Sequence, residues 1–544
     1  MKTKSKNKFA FGGICLMLII MQSCTKLENK SYTDIIASTY SPGADDIGSL
    51  VAPAYTNWRT LLMSSNTGYY ITEEIAADEL AVPAKPYGFV DGGLHRRMHE
   101  HKWTSEQTHM QDLWSNCYAG VNNCNRVIYQ VESGAIPVAS ANSAALIAEL
   151  KVLRASFYYV LCDNFGNVPL VTKYDLPAGY LPDQSTRQQV YDFIVTEVNA
   201  AIPSLSINND VHTYGRFSNK WAAYALLAKV YLNAGVYTGT PQWANCITAC
   251  NAVIGSNQYA LEAVQKDVFK QQNQNSKEII WAIPLDEVYA GGFYLAAWTM
   301  SPQNQFTFNT KSGGYGGLNA IPQFIDTYNP QDKRLTDGWM RGQQYTSGGV
   351  ALKCAYGTLI GQPLVYVNEC PGIDSTQEIH SYRINKFEIA ANSSPNNMSN
   401  DFPFFRYADI LMMKAECLLR TGDPAGAASL VTEVRQRSFT SNPALATVTA
   451  AQIVGNTSYK YGLKNHISTT TETVSDIQYG RFLDELGWEF AAEAHRRQDM
   501  IRFGVFTSKS WLSHSPSGAT RNLFPIPLQE LNKNTKLKPN PGYN

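Results

Sequence analysis

The stretch RYADILMMKAECLLRTG, residues 406–422, decides the fold class. Ala408, Leu411, Met412, Ala415, Leu418 and Leu419 recur at three- and four-residue spacing, which draws an apolar stripe down one side of a helix. An earlier stretch echoes it, since AKVYLNAG (228–235) aligns with AECLLRTG (415–422). Gly235 and Gly422 each follow the stripe at a position suited to a helix C′ residue, and a second helical pattern begins after a short turn. Ala223, Ala225 and Ala228 are small enough for a neighbouring helix to approach closely.

Those features describe helix pairs of the tetratricopeptide type, whose repeat is about 34 residues. The same periodicity runs through 143–161, 188–202, 219–235, 425–438 and 481–504. The pairs are not consecutive, however. Between 257 and 405 the pattern dissolves into Gly, Asn, Gln, Pro and aromatic residues, with only short strand-like runs such as EIIWAIPL (278–285). The expectation is a mainly α chain in which a tetratricopeptide-like helix-pair scaffold, about 45–256 and 401–544, carries a loop-rich insertion with short strands at about 257–400. No long linker of Pro, Gly or Ser divides it, so residues 24–544 read as a single unit.

Composition narrows the function. Of 544 residues, 45 are Lys or Arg and 45 are Asp or Glu, so no net field draws the chain to nucleic acid. Aromatic content is 12%, with 31 Tyr and 10 Trp, alongside many Asn and Gln. Rings among uncharged amides suit neutral, hydroxyl-rich ligands. Beyond Cys15 and Cys24, eight cysteines remain, none in a CxxC pair. Cys117 with Cys124, and Cys246 with Cys250, share helix faces and read as buried thiols. Cys354 and Cys370, in the loop-rich region, are the pair expected to bridge.

At the N-terminus, Lys2, Lys4, Lys6 and Lys8 precede an apolar run from Phe9 to Met21, about 13 residues and so within the range of a signal h-region. That is too short to span a bilayer, which takes about 20. Ser23 is the small residue that a signal peptidase cuts after, and Cys24 supplies a thiol for acylation, palmitate for example. Residues 1–23 therefore read as a lipoprotein signal peptide and Cys24 as the lipid anchor, with Thr25 to Thr33 as a polar leash. Ordinary secretion and a buried helix are the competing explanations.

Three stretches carry a family resemblance. They are Arg154-Ala-Ser-Phe157-Tyr-Tyr-Val-Leu with Asn164-Phe-Gly-Asn-Val-Pro-Leu170, Arg406 to Glu416, and Glu489-Phe-Ala-Ala-Glu-Ala-His-Arg-Arg-Gln-Asp499 with Ile501-Arg-Phe-Gly504. Together with the ending Leu523 to Glu530 and Asn540 to Tyr543, they resemble the SusD/RagB family from the lipid-anchor signal to the last residues. The resemblance implies a SusD-like fold and a non-enzymatic lipoprotein at the outer membrane, facing the cell exterior. It also implies a SusC-like, TonB-dependent barrel as partner, to which the protein passes oligosaccharides. RagB-type relatives imply oligopeptide capture as the alternative. Glu489, Glu493, Arg496, Arg497, Asp499 and Arg502 lie at helical spacings that permit ion pairs and read as structural.

A sugar site needs an aromatic platform and a few amides or carboxylates. The stretch 78–103 offers Asp78, Tyr87, Phe89 and Asp91; family members often carry a Trp here, so the resemblance implies a smaller platform. The stretch 289–319 offers Phe293, Tyr294, Trp298, Asn304 and Tyr315 among glycines, with Asn319 nearby. Arg383 is a candidate by resemblance only. His95 and His99 stand at i and i+4, a spacing that can grip a metal, but no HExxH motif or third ligand accompanies them with His101. No metal or cofactor is therefore expected, although oxygen-rich loops leave room for a structural calcium ion. A surface glycosidase is the enzyme-class alternative, with no carboxylate pair singled out and no nucleophile elbow.

Overall fold

The structure is a computed structural model and describes residues 44–63 and 66–543. The expected signal peptide, Cys24 and leash lie outside the described residues. Among the described residues eight long helices build the scaffold: α1 (Ala44–Leu62), α2 (Thr108–Glu132), α3 (Ser140–Asn164), α4 (Arg187–Ala201), α5 (Lys220–Leu232), α6 (Trp243–Gly255), α7 (Tyr407–Arg420) and α8 (Pro424–Arg435). Each packs on the next, α1 on α2 through to α7 on α8. The sequence dictates the faces. In α2 the buried positions Met110, Leu113, Trp114, Cys117, Val121, Cys124, Ile128 and Val131 form one stripe at helical spacing. In α5 alanines and aliphatic residues are buried on nearly every side, as befits a helix in the middle of a stack.

Helix α6 packs directly against α7, although 151 residues separate Gly255 from Tyr407 (256 to 406). The chain leaves the scaffold and returns to the same place. The exit and entry are tied by two antiparallel strands, Ile279–Ile283 and Phe402–Arg406, both buried throughout, with Phe402 opposite Ile283 and Arg406 opposite Ile279. Asp409 accepts a hydrogen bond from the Arg406 backbone N–H at 2.9 Å, which starts α7 directly where the strand ends.

Two expectations differ in detail. Gly422 does take the left-handed conformation after α7, with φ of +89°, but Gly235 lies inside a further helical turn, Ala234–Thr238, that ends at Gly239. The segment 481–504 is two helices, Gly480–Phe490 and Arg496–Arg502, rather than one. Between them Ala492 and Ala494 adopt φ of +62° and +61°, a conformation costing roughly 1–2 kcal/mol per residue for L side chains. Two buried carboxylates hold them there. Glu79 accepts from the Ala492 N–H at 3.0 Å and Glu74 from the Ala494 N–H at 2.5 Å. Periodicity could not reveal the break, because the groups that stabilise it lie more than 400 residues away in sequence.

The same distance rule governs the charges. Of the residues spaced for local ion pairs, Asp499 and Arg502 do pair, at 2.7 Å. Further pairs reach across the chain: Arg496 to Asp78 at 2.6 Å, Arg497 to Asp163 at 2.9 Å, and Arg502 again, to Glu416 at 2.7 Å. Arg406 is fully buried and bridges Glu278, Glu489 and Glu493 at 2.8, 2.8 and 2.7 Å, while Arg437 joins Glu278 and Glu489 from α8's end. Lys386 of the insertion donates to Glu493. This network pins insertion, scaffold and C-terminal segment to one another. Burial pushes the Glu489 carboxyl up, but the guanidiniums of Arg437, Arg406 and Arg334 overcome it and hold the group well below the usual carboxylate range.

Cys354 and Cys370 are both free thiols and buried, so the expected bridge does not form. Their sulfurs face the carbonyls of Pro363 and Gly372 respectively, so each has its own backbone partner. The other six described cysteines are buried and free as well.

Candidate functional site

The two ring-rich stretches are far apart in sequence and are joined by a strand pair. Leu80–Ala81 runs antiparallel to Asn319–Ala320, with Leu80 opposite Ala320 and Ala81 opposite Asn319. Lys85 strengthens the join by donating to the Asn319 side-chain Oδ1 at 2.8 Å. Asn319 in turn donates to the carbonyls of Gly316 and Gly317, and so shapes the glycine loop rather than facing a ligand.

Around this join opens a hollow of about 660 Å³, lined by Tyr87, Phe89, Asp91, Tyr294, Trp298 and Tyr315 together with Asn66, Gly88, Gly314, Tyr356 and Asn396. Phe89 and Trp298 meet with ring centroids 5.6 Å apart at 53°, and Trp298 meets Tyr315 edge-on at 6.4 Å. Tyr87 and Tyr356 form a second pair at 4.8 Å. The five rings make an arc. Trp298 is only 6% exposed and anchors it, whereas Tyr315 is 44% exposed and offers its surface.

Backbone geometry holds the arc in shape. Phe89 and Asp91 have φ of +66° and +39°, a strained conformation that costs on the order of 1–3 kcal/mol and is stored where a site needs it. The loop bearing Tyr315 is tied to the short helix Leu295–Thr299, the Tyr315 N–H donating to the Ala297 carbonyl and the Leu318 N–H to that of Trp298. Tyr356 is fixed from behind by Glu378, whose carboxylate accepts the N–H groups of Ala355 and Tyr356 at 2.6 and 2.7 Å.

Electrostatically the hollow is nearly neutral. Asp91 is the sole charged side chain among its lining residues. His95 lies 3.8 Å from it, and burial behind Trp298 pushes the His95 pKa down to about 4 and keeps it uncharged at neutral pH. Burial raises the phenols of Tyr87 and Tyr294 above their ordinary value, so both stay protonated. Such a surface offers ring faces, amides and one carboxylate, a set that fits the apolar C–H faces and hydroxyl edges of a neutral sugar.

The other candidate positions lie in the interior. Asp78 is fully buried, accepting from Arg496 and from the Tyr461 hydroxyl at 2.9 Å. Phe293 packs on Phe387 with centroids 5.2 Å apart, out of solvent contact. Asn304 accepts from the Tyr366 hydroxyl and the Ser301 N–H. Arg383 donates to the carbonyls of Glu378, His380 and Ser381 and lies over the Tyr366 ring, 4.8 Å from its centroid. Each is spent on structure. Tyr356, Asn66 and Asn396 complete the hollow and were not singled out by sequence. Tyr356 precedes Gly357, the same ring-beside-glycine signature as Tyr315, and that signature was the signal available. His95, His99 and His101 are buried, and among the described residues no group of three His, Cys, Asp or Glu side chains is placed to hold a metal ion.

A family model described as "SusD family" matches residues 277–543, and one described as "Starch-binding associating with outer membrane" matches residues 73–232. This chain belongs to the SusD-like family. It is 24% identical to the SusD-like protein P25 of Formosa agariphila, over 79% of this chain and 78% of that one. It is 25% identical to the starch-binding protein SusD of Bacteroides thetaiotaomicron, over 73% and 72% of the two chains. Among solved structures, a laminarin-binding SusD-like protein superposes with a TM-score of 0.69 at 20% identity, covering 93% of this chain and 100% of that one. That last likeness concerns the fold.

Proposed function

We propose that the mature chain, residues 24–544 as one unit anchored through an acylated Cys24, captures oligosaccharides at the outer face of the outer membrane and hands them to a SusC-like, TonB-dependent barrel. The observation that carries this proposal is the arc formed by Phe89, Trp298 and Tyr315 with Tyr87 and Tyr356, open to solvent and almost free of charge. Relatives named for binding starch and laminarin support a glycan as ligand, and the family description supports association with the outer membrane. Those relatives are named as binding proteins, and Asp91 is the lone carboxylate lining the hollow, whereas glycoside hydrolysis ordinarily uses a pair. A structural calcium ion is not needed by this proposal.

Capture near a pore requires no tight binding, because tethering raises the effective ligand concentration. The test is calorimetric titration of the purified protein with laminarin, starch and their oligosaccharides, alongside Trp298→Ala. Binding that drops at least tenfold in the variant supports the site; unchanged affinity rejects it. Mass spectrometry of the purified protein for co-purifying peptides tests the oligopeptide alternative directly.

A further inference from the structure

Tyr289 is the most exposed large side chain of apolar or aromatic type among the described residues, at 90%. A single exposed tyrosine on a mobile loop asks for no explanation. This one stands on a turn fixed from several directions. Asp286 and Ala290 exchange both backbone hydrogen bonds, at 2.9 and 3.1 Å, and the Asp286 carboxylate accepts the N–H groups of Val288 and Tyr289 at 2.8 and 2.9 Å. Those two bonds hold the carboxyl below its ordinary pKa, so the tie persists under mildly acid conditions.

The turn is also bound to the rim of the hollow. Asn397 accepts from the Gly292 N–H at 2.9 Å and donates to the Glu287 carbonyl at 2.6 Å, while Ser399 accepts from the Glu287 N–H at 3.0 Å. Asn396, next to Asn397, lines the hollow, and so does Tyr294, five residues beyond Tyr289. The exposed ring therefore stands on a pedestal that abuts the aromatic arc by two routes along the chain. A backbone fixed beneath an exposed ring leaves only the side-chain torsions to be ordered, which lowers the entropy lost when a ligand lands on it.

We propose that Tyr289 forms an outlying subsite of the hollow, a stacking platform for a further ring of a neutral oligosaccharide whose other units rest on Tyr315 and Phe89, the rings that Trp298 backs. This proposal rests on the glycan-binding reading of the hollow and adds the ligand's length and charge. A chain that fills only the hollow gains nothing from Tyr289; a longer one does. Asp286 and Glu287 on the turn, with Asp91 in the hollow, place carboxylates at both ends of the track. They disfavour chains that carry uronic or sialic acid groups.

The experiment titrates wild type, Tyr289→Ala, Tyr289→Phe and Trp298→Ala with laminari- and malto-oligosaccharides from disaccharide to heptasaccharide, and with oligogalacturonides of matched length. Tyr289→Ala should weaken the longest neutral chains roughly three- to tenfold and leave the shortest unaffected. Tyr289→Phe should behave as wild type, since the ring face makes the contact. Trp298→Ala should weaken all lengths. An equal effect of Tyr289→Ala at every length, or no effect, overturns the subsite while Trp298→Ala still reports on the hollow. Wild-type affinity in Trp298→Ala, or no binding of any chain by wild type, overturns the hollow and the subsite together. Oligogalacturonides binding as tightly as neutral chains overturn the charge argument.

Discussion

A Cβ atom added to Gly317 would stand 2.3 Å from the Phe89 ring. The ring occupies the space that any larger residue at 317 would need, and the same ring meets Trp298 at 5.6 Å. Gly317→Ala must therefore push Phe89 off the tryptophan. The expected outcome is a loss of glycan affinity comparable to Phe89→Ala, with a destabilisation of about 1–3 kcal/mol from overpacking. Calorimetry and urea unfolding of the same preparation separate the two effects; wild-type affinity in Gly317→Ala would show that the arc tolerates rearrangement.

Arg406 bridges three buried carboxylates. Arg406→Met should cost on the order of 3–5 kcal/mol, because Glu278, Glu489 and Glu493 are left with only Arg437, Arg334 and Lys386 to share. The unfolding midpoint in urea measures this. A change under 1 kcal/mol would mean that the network rearranges around the missing guanidinium.

Burial holds the His99 imidazole down at about 4, against roughly 6.5 in an unfolded chain. A depressed pKa of this kind contributes stability in full above the unfolded value, and the contribution is lost as pH falls from about 6.5 towards 4. Glu73 and Asp409, which burial pushes up to about 7, act in the opposite sense over a similar range. A comparison of wild type with His99→Gln cancels them. The stability advantage of wild type should shrink by on the order of 3 kcal/mol between pH 7 and pH 4. An advantage that is constant with pH would show that His99 is solvated.

Cys354 and Cys370 being free, reducing agent should leave the melting temperature unchanged, and Cys354→Ser should cost no more than the loss of a small buried group, about 1–2 kcal/mol. Thiol titration of the native protein should find the described cysteines unreactive, since burial raises the thiols of Cys117, Cys124, Cys162, Cys246, Cys354 and Cys370. A fall in melting temperature under reduction would reveal a bridge.

Sequence by itself determined where the long scaffold helices run, though not the break within 481–504, because the apolar stripe of an amphipathic helix is written at spacings of three and four, and Ala408 to Leu419 carry it in full. It also determined that rings cluster with glycines in two stretches, 78–103 and 289–319. Which rings face the hollow was decided by tertiary structure alone. Phe293 and Tyr294 are neighbours with the same chemistry, yet one packs on Phe387 in the interior and the other lines the hollow, a matter of which way the chain turns before the Leu295–Thr299 helix. Asp78 and Asp91 differ likewise: Arg496, 418 positions away, claims the first, and nothing so distant can be read from a local pattern. Local periodicity fixes an element because its hydrogen bonds close within a few residues. A site built from partners hundreds of residues apart exists only once the fold has brought them together.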